Sequence, residues 1–393
     1  MEQLIDILKY YLDYQDSILE KPEFDSLHKD TIGKKISILS ADFDYTELRS
    51  FHFALLGVKE NRNTENKGSS LAPGKIREAF YHLFPSTSKL KLLDLGDLKE
   101  ANTVNDTYFA LRDLIEALID NNIIPIIMGG GQDLTYAQYK AYHNQKQQIS
   151  LTSIDSLIDL GEMGLPFTAH TFLGKILTEG GQQLFNYTNI ACQQYLVSPA
   201  DFEMMDNLFF DVYPLGDIQT DIHNAEPAIR DSQIISFDMS AIRVSEAPGT
   251  RFSTPNGLYG NEACQLAWYA GMSEKVSSFG IYEVNPTIDE RERTSFLAAQ
   301  IIWHFIDGFY NRINDYPNFD QNKHEISYHD VEVLEHKLSF VHSKSSGRWW
   351  IKIPESKKYV NNSIIISCDY NDYRMACEGD IPERLWRIYQ KVN

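Results

Sequence analysis

The chain is 393 residues long, 43% hydrophobic and 12% aromatic, enough apolar material for a large buried core, which excludes wholesale disorder. Its formal charge is -19, with 55 acidic against 36 basic side chains. That balance repels phosphate backbones and anionic lipid headgroups, so nucleic-acid binding and membrane insertion are not expected. Four cysteines without a CxxC pair exclude a zinc knuckle or a disulfide framework, and a cytoplasmic protein with buried thiols is the expectation.

The first twenty residues place Leu4, Ile5, Ile7, Leu8, Tyr11 and Leu12 at helical spacing, without the basic start or apolar centre of a signal peptide. FHFALLG (51–57) reads as a buried strand, followed by a polar loop and a helix led by Pro73 and Gly74. A second strand spans Lys91 to Leu95. Asn105 is placed to cap a helix whose apolar face carries Leu111, Leu114, Ile115, Leu118 and Ile119. IIPIIM (123–128) is a short β-branched run, and strand-like runs recur at 149–154, 189–192, 234–237 and 276–284. Helical stretches cover 261–272 and 291–309. The alternation predicts an α/β fold with a mainly parallel central sheet in a three-layer α-β-α arrangement.

After residue 312 the texture becomes polar, then rich in aromatic and charged residues. The expected organisation is an N-terminal helical extension (1–45), an α/β domain (46–312) and a C-terminal extension packed on the core (313–393). Trp349, Trp350 and Trp386 read as cover for a core rather than as a binding surface. His324, His329 and His336 fit no metal-ligand spacing and read as solvated surface.

In open parallel sheets chemistry sits at the carboxyl ends of the strands. Those ends carry GGGQD (129–133), Asp155 with Asp159, Asp238 within SFDMSAIRVSEAPGT, and Glu283 within IYEVNP. Together with LGVKENRNTENKGSSLAPGKIREAF and GLYGNEA, they resemble in order and spacing the signature of the arginase, agmatinase and formiminoglutamase superfamily. The likeness covers about residues 51–310 and is greatest to the formiminoglutamase branch.

The resemblance implies an arginase-like fold and hydrolysis of amidine or guanidine C–N bonds, with two manganese ions activating a hydroxide. It implies substrate contacts from Glu283 and Asn66, catalytic candidates in Glu283 and Asp159, and metal-ligand positions at Gln132, Asp155, Asp159 and Asp238. The family pattern is broken at four places. Gln132 and Leu157 stand for histidines, Ser240 for an aspartate, and Arg243 for the aspartate before the family's proline. One metal position would retain three carboxylates and an amide oxygen; the other would retain two shared carboxylates and a hydroxyl. A two-metal hydroxide is not expected.

Three crowded carboxylates need a counter-charge or a proton. A single manganese, magnesium or calcium ion is one answer, pairing with the Arg243 guanidinium is a second, and a protonated aspartate is a third. His170 follows the second segment but matches the family poorly there, and no catalytic role is expected of it. The expected function is a non-catalytic relative without cofactor, serving as a scaffold for a protein partner or as a homo-oligomer. The alternative is a one-metal amidine hydrolase, and a binder of a small cationic ligand is a third reading.

Overall fold

The computed structural model describes residues 2–13, 22–145, 148–161, 164–179, 183–317, 325–333, 336–353 and 364–392. Nine strands form the central sheet: β1 (Ser37–Ile38), β2 (Phe53–Gly57), β3 (Leu92–Asp97), β4 (Ile124–Met128), β5 (Ile149–Ile154), β6 (Leu184–Cys192), β7 (Asp211–Pro214), β8 (Ile234–Asp238) and β9 (Ser278–Tyr282). Their order is β1-β3-β2-β4-β9-β8-β5-β6-β7, and every neighbouring pair is parallel.

Strand alternation divides the apolar side chains between two cores. In β2, Phe53 and Leu55 join one cluster while Ala54 and Leu56 join the other. Helices α1 (Glu2–Tyr11), α3 (Val104–Ile119) and α4 (Leu134–Lys140) pack on one face; α2 (Ala72–Tyr81), α5 (Gly260–Met272) and α6 (Arg293–Tyr310) pack on the other. The three-layer α-β-α arrangement is therefore observed. No helix among the described residues is long and apolar enough to cross a membrane.

Local details differ from the sequence reading. Helix α3 is capped by Thr103, in a reciprocal capping box with Asp106, and not by Asn105. Strand β7, absent from the strand-like runs above, carries Pro214, which is tolerated because β7 is the last strand of the sheet. The N-terminal segment adds a short strand, β1, to the edge beside β3.

A second sheet, antiparallel, follows: β10 (Ile326–Val333), β11 (His336–Ser343), β12 (Trp349–Lys352) and β13 (Ile365–Cys368). Helices α7 (Tyr370–Cys377) and α8 (Glu383–Val392) cover its apolar face, with Phe340, Trp349, Ile351 and Ile388 buried. Trp350 is also buried, whereas Trp386 is half exposed. His329 packs beside Trp349 and Tyr373 rather than in solvent; His324 and the His336 side chain lie outside the described residues.

This module docks on Arg230 and Asp231, just ahead of β8 and so at the amino end of the central sheet. Arg230 donates to the carbonyls of Trp349 and Cys368 at 3.1 and 3.0 Å. Asp231 accepts from the Ser367 amide, Lys275 and Arg384, each at 2.8 Å. The candidate residues lie at the other end of the strands.

Candidate functional site

Four adjacent strands, β4, β9, β8 and β5, deliver the signature residues to one place at their carboxyl ends. Asp155 follows β5, Asp238 closes β8, Glu283 follows β9, and GGGQD follows β4. Asp155 and Asp238 each fold back on their own chain. The Leu157 amide donates to Asp155 at 2.9 Å, and the Ser240 amide donates to Asp238 at 2.6 Å. All four acids, Asp155, Asp159, Asp238 and Glu283, are buried. Asp159 and Glu283 are held at positive φ, 55° and 64°, a conformation that costs non-glycine residues energy.

Glu283 is clasped from two sides. The Gln132 amide donates to one carboxylate oxygen at 3.0 Å and the Thr64 hydroxyl to the other at 3.1 Å. Asn66, expected to face substrate, instead spends its side chain on the protein. It donates to the Glu283 carbonyl at 2.9 Å and accepts from Asn285 at 2.6 Å. Asn66 is fully buried, so its role is to hold the Glu283 turn. Gln132 turns its amide nitrogen toward the Ser153 and Ser236 hydroxyls at 3.1 and 3.3 Å. Both serines lie two residues before an aspartate, so strand alternation puts them on the same side beneath Asp155 and Asp238. That spacing was available in the sequence.

The charge balance is unusual. Burial lifts the Asp155 carboxyl well above the usual range, and the charges of Asp159 and Asp238 push it further. Burial takes Asp238 to about 7, Glu283 to about 8, and the neighbouring Asp133 to about 7. Among the described residues, the cation facing the group is His170, whose Nδ1 lies 3.2 Å from Asp159. Its own burial would lower the imidazole pKa, but the hydrogen bond and charge of Asp159 prevail and raise it to about 9. An edge contact with Phe252, centroids 4.5 Å apart, fixes the ring. His170 is thus the counter-ion that the sequence reading missed; the signal for it was slight, since it lies eleven residues from Asp159 across a loop.

Arg243 does not neutralise the carboxylates. Its guanidinium donates to the Gly257 carbonyl at 3.1 Å and stacks 3.4 Å above the Tyr259 ring. The turn of backbone after Ser240 carries it away: the Arg243 amide bonds to the Leu258 carbonyl at 3.2 Å, committing the segment to the 257–259 loop. Gly257 sits at φ 153°, and a Cβ there would lie 2.5 Å from the Arg243 nitrogen, so this close approach needs glycine. Arg243→Ala is therefore expected to cost only about 1 kcal/mol in urea denaturation, the worth of one cation–π contact and a hydrogen bond. A loss of several kcal/mol would reinstate a buried ion pair.

Two manganese ions, as the resemblance implies, would have to be held by these donors. Buried oxygens without partners, on Gln132, Asp155 and Asp159, are the kind of atom a hard cation takes. Against that, Leu157 offers no donor, Ser240 contributes a hydroxyl facing Ser156, and the His170 imidazole is spent on Asp159. Among the described residues no three His, Cys, Asp or Glu side chains are arranged to hold a metal ion. The residues do not fit a binuclear centre.

A family model described as the arginase family matches residues 51–307. Among curated relatives, formimidoylglutamase of Bacillus subtilis strain 168 is 28% identical over 310 residues, covering 73% of this chain and 95% of that protein. Formimidoylglutamase of Staphylococcus epidermidis RP62A is 29% identical over 274 residues, covering 64% and 84%. Among solved structures, the Bacillus subtilis formimidoylglutamase aligns with a TM-score of 0.65 at 23% identity, covering 76% of this chain and 98% of that one. Trypanosoma cruzi formiminoglutamase, solved with manganese, aligns at 0.62 and 20% identity, covering 69% and 97%.

Proposed function

Because the chain belongs to the arginase family, we propose that it is a non-hydrolysing member of the formimidoylglutamase branch, serving as a scaffold or interaction subunit in the cytoplasm. The observation that carries this reading is the ion pair between His170 and Asp159 in a site where Leu157 offers no metal donor. A metal-bound hydroxide needs ligands that lower the pKa of water and hold it in an open position. Here an imidazolium and shared protons serve the carboxylates instead. What remains is a buried acidic cluster whose Glu283 is still gripped by Thr64 and the Gln132 amide. A small cationic group is the ligand its charge would favour.

A second reading, a hydrolase of linear amidines using one metal, is favoured by the similarity to formimidoylglutamases and by the unpartnered oxygens of Asp155, Asp159 and Gln132. The two readings separate in one experiment. Protein produced in manganese-supplemented medium is expected to carry far less than one manganese per chain by elemental analysis. It is expected to release neither formamide from formiminoglutamate nor urea from arginine or agmatine above background. About one tightly held manganese per chain, together with turnover of any of these substrates, would establish the hydrolase and remove the first reading.

A further inference from the structure

On the face of the sheet that carries α5 and α6, these two helices leave between them an open groove of about 1000 Å³. The residues that α6 contributes are arranged symmetrically along the helix. Arg293 and Asp307 stand at its ends, Phe296 and His304 inside them, Leu297 and Trp303 inside those, with Gln300 at the centre. Positions 293, 297, 300, 304 and 307 alternate steps of four and three, the spacing of a single seam on a helix that packs against another helix. Phe296, beside this seam and also lining the groove, is 42% exposed, and large aromatic side chains in a continuous exposed groove mark interaction surfaces.

We propose that this groove binds a second copy of the chain, with the two α6 helices antiparallel across a two-fold axis at Gln300. Antiparallel pairing about that residue sets Arg293 opposite the partner's Asp307, and does so twice, once at each end. It sets Phe296 against the partner's His304, and Trp303 against the partner's Leu297. Burial lowers the His304 pKa, so the imidazole enters the contact uncharged at neutral pH. A parallel pairing would instead place Arg293 on Arg293 and Asp307 on Asp307. The seam is about 21 Å long at the helical rise. Existing partners do not forbid the contact: Arg293 bonds to Glu290 in an exposed pair, and Asp307 uses one carboxylate oxygen on the Trp268 indole.

The test is sedimentation velocity of the full chain over a range of concentrations. The wild type is expected to dimerise reversibly. Arg293→Asp alone and Asp307→Arg alone are each expected to weaken the dimer on the order of tenfold or more, because each places like charges together at both ends. The double variant is expected to regain affinity near wild type, since every pair is rebuilt with its sign exchanged. Gln300→Cys, in a Cys377→Ser background that removes the exposed thiol, should oxidise to a disulfide-linked dimer. Thermal melts of the single variants at a concentration where the wild type is monomeric, expected to match wild type, separate lost pairing from lost folding. A monomer at every concentration overturns the proposal, as does an assembly indifferent to both single reversals or one that the double variant fails to restore.

Discussion

Raising the pH from about 5 to 8 is expected to destabilise this protein by several kcal/mol, read as a falling urea midpoint. The sign follows from the carboxylates. An acid whose folded-state pKa lies above its unfolded value of about 4 binds its proton more tightly in the native state. Its contribution is fully present below that unfolded value and is lost as pH rises through the folded one. Asp238 and Asp133, at about 7, and Glu283, at about 8, all run in this direction. His170 runs the same way: the Asp159 pair holds its proton to about 9, so that stabilisation fades above the unfolded imidazole value. Each three-unit shift corresponds to about 4 kcal/mol at most, and relaxation of the site reduces the sum. Asp155→Asn removes one member of the cluster and should raise stability at pH 8 by about 2 kcal/mol. A midpoint that is flat or rises over this range, with wild type and variant alike, would mean that a bound cation already balances the charges.

Restoring the three lost donors should also have a large effect. A chain carrying Gln132→His, Leu157→His and Ser240→Asp regains the family's ligand types around Asp155, Asp159 and Asp238. It is expected to take up about two manganese ions per chain, where wild type is expected to take up far less than one. At a free metal concentration about a hundredfold above the dissociation constant, the uptake should add about 3 kcal/mol of stability. The measurement is elemental analysis after gel filtration, with thermal melts at graded manganese. If the triple variant still binds nothing, the strand ends themselves are misplaced for metal, and substitution of donors is not what distinguishes this site.

Much of the architecture was legible because it depends on patterns that survive without neighbours. IPIIM and IISFD are buried parallel strands whatever lies beside them, and their carboxyl ends announce themselves by a glycine turn or an aspartate. The edge strands β7 and β10 were not legible. β7 contains a proline, and β10 alternates with polar residues that face solvent along much of its length. In the site, residue type alone revealed which donors were gone. It did not reveal which cation replaced them, because that depends on where the chain turns after each strand. Arg243 was the nearer candidate in sequence, yet the 257–259 loop claims it, while His170 arrives from the far side of a loop. Asn66 misled for a similar reason: its amide is equally suited to a ligand or a backbone carbonyl, and here the carbonyl is Glu283's own.

Arg230 and Asp231 precede β8, yet their contacts with the second sheet and α8 involve residues 119 to 153 positions further along the chain. During synthesis, a carboxylate bound for a buried position must wait for the Ser367 amide and Arg384 to emerge. Until then the central sheet has an unfinished end, and Asp231 has Lys275 as its early counter-charge. Completion of the amino end of the sheet is thus a late, long-range event, while the strand ends that carry Asp155, Asp238 and Glu283 can assemble before it. The order in which the ribosome delivers the chain leaves the acidic site as the older half of the fold and the charged dock as its final latch.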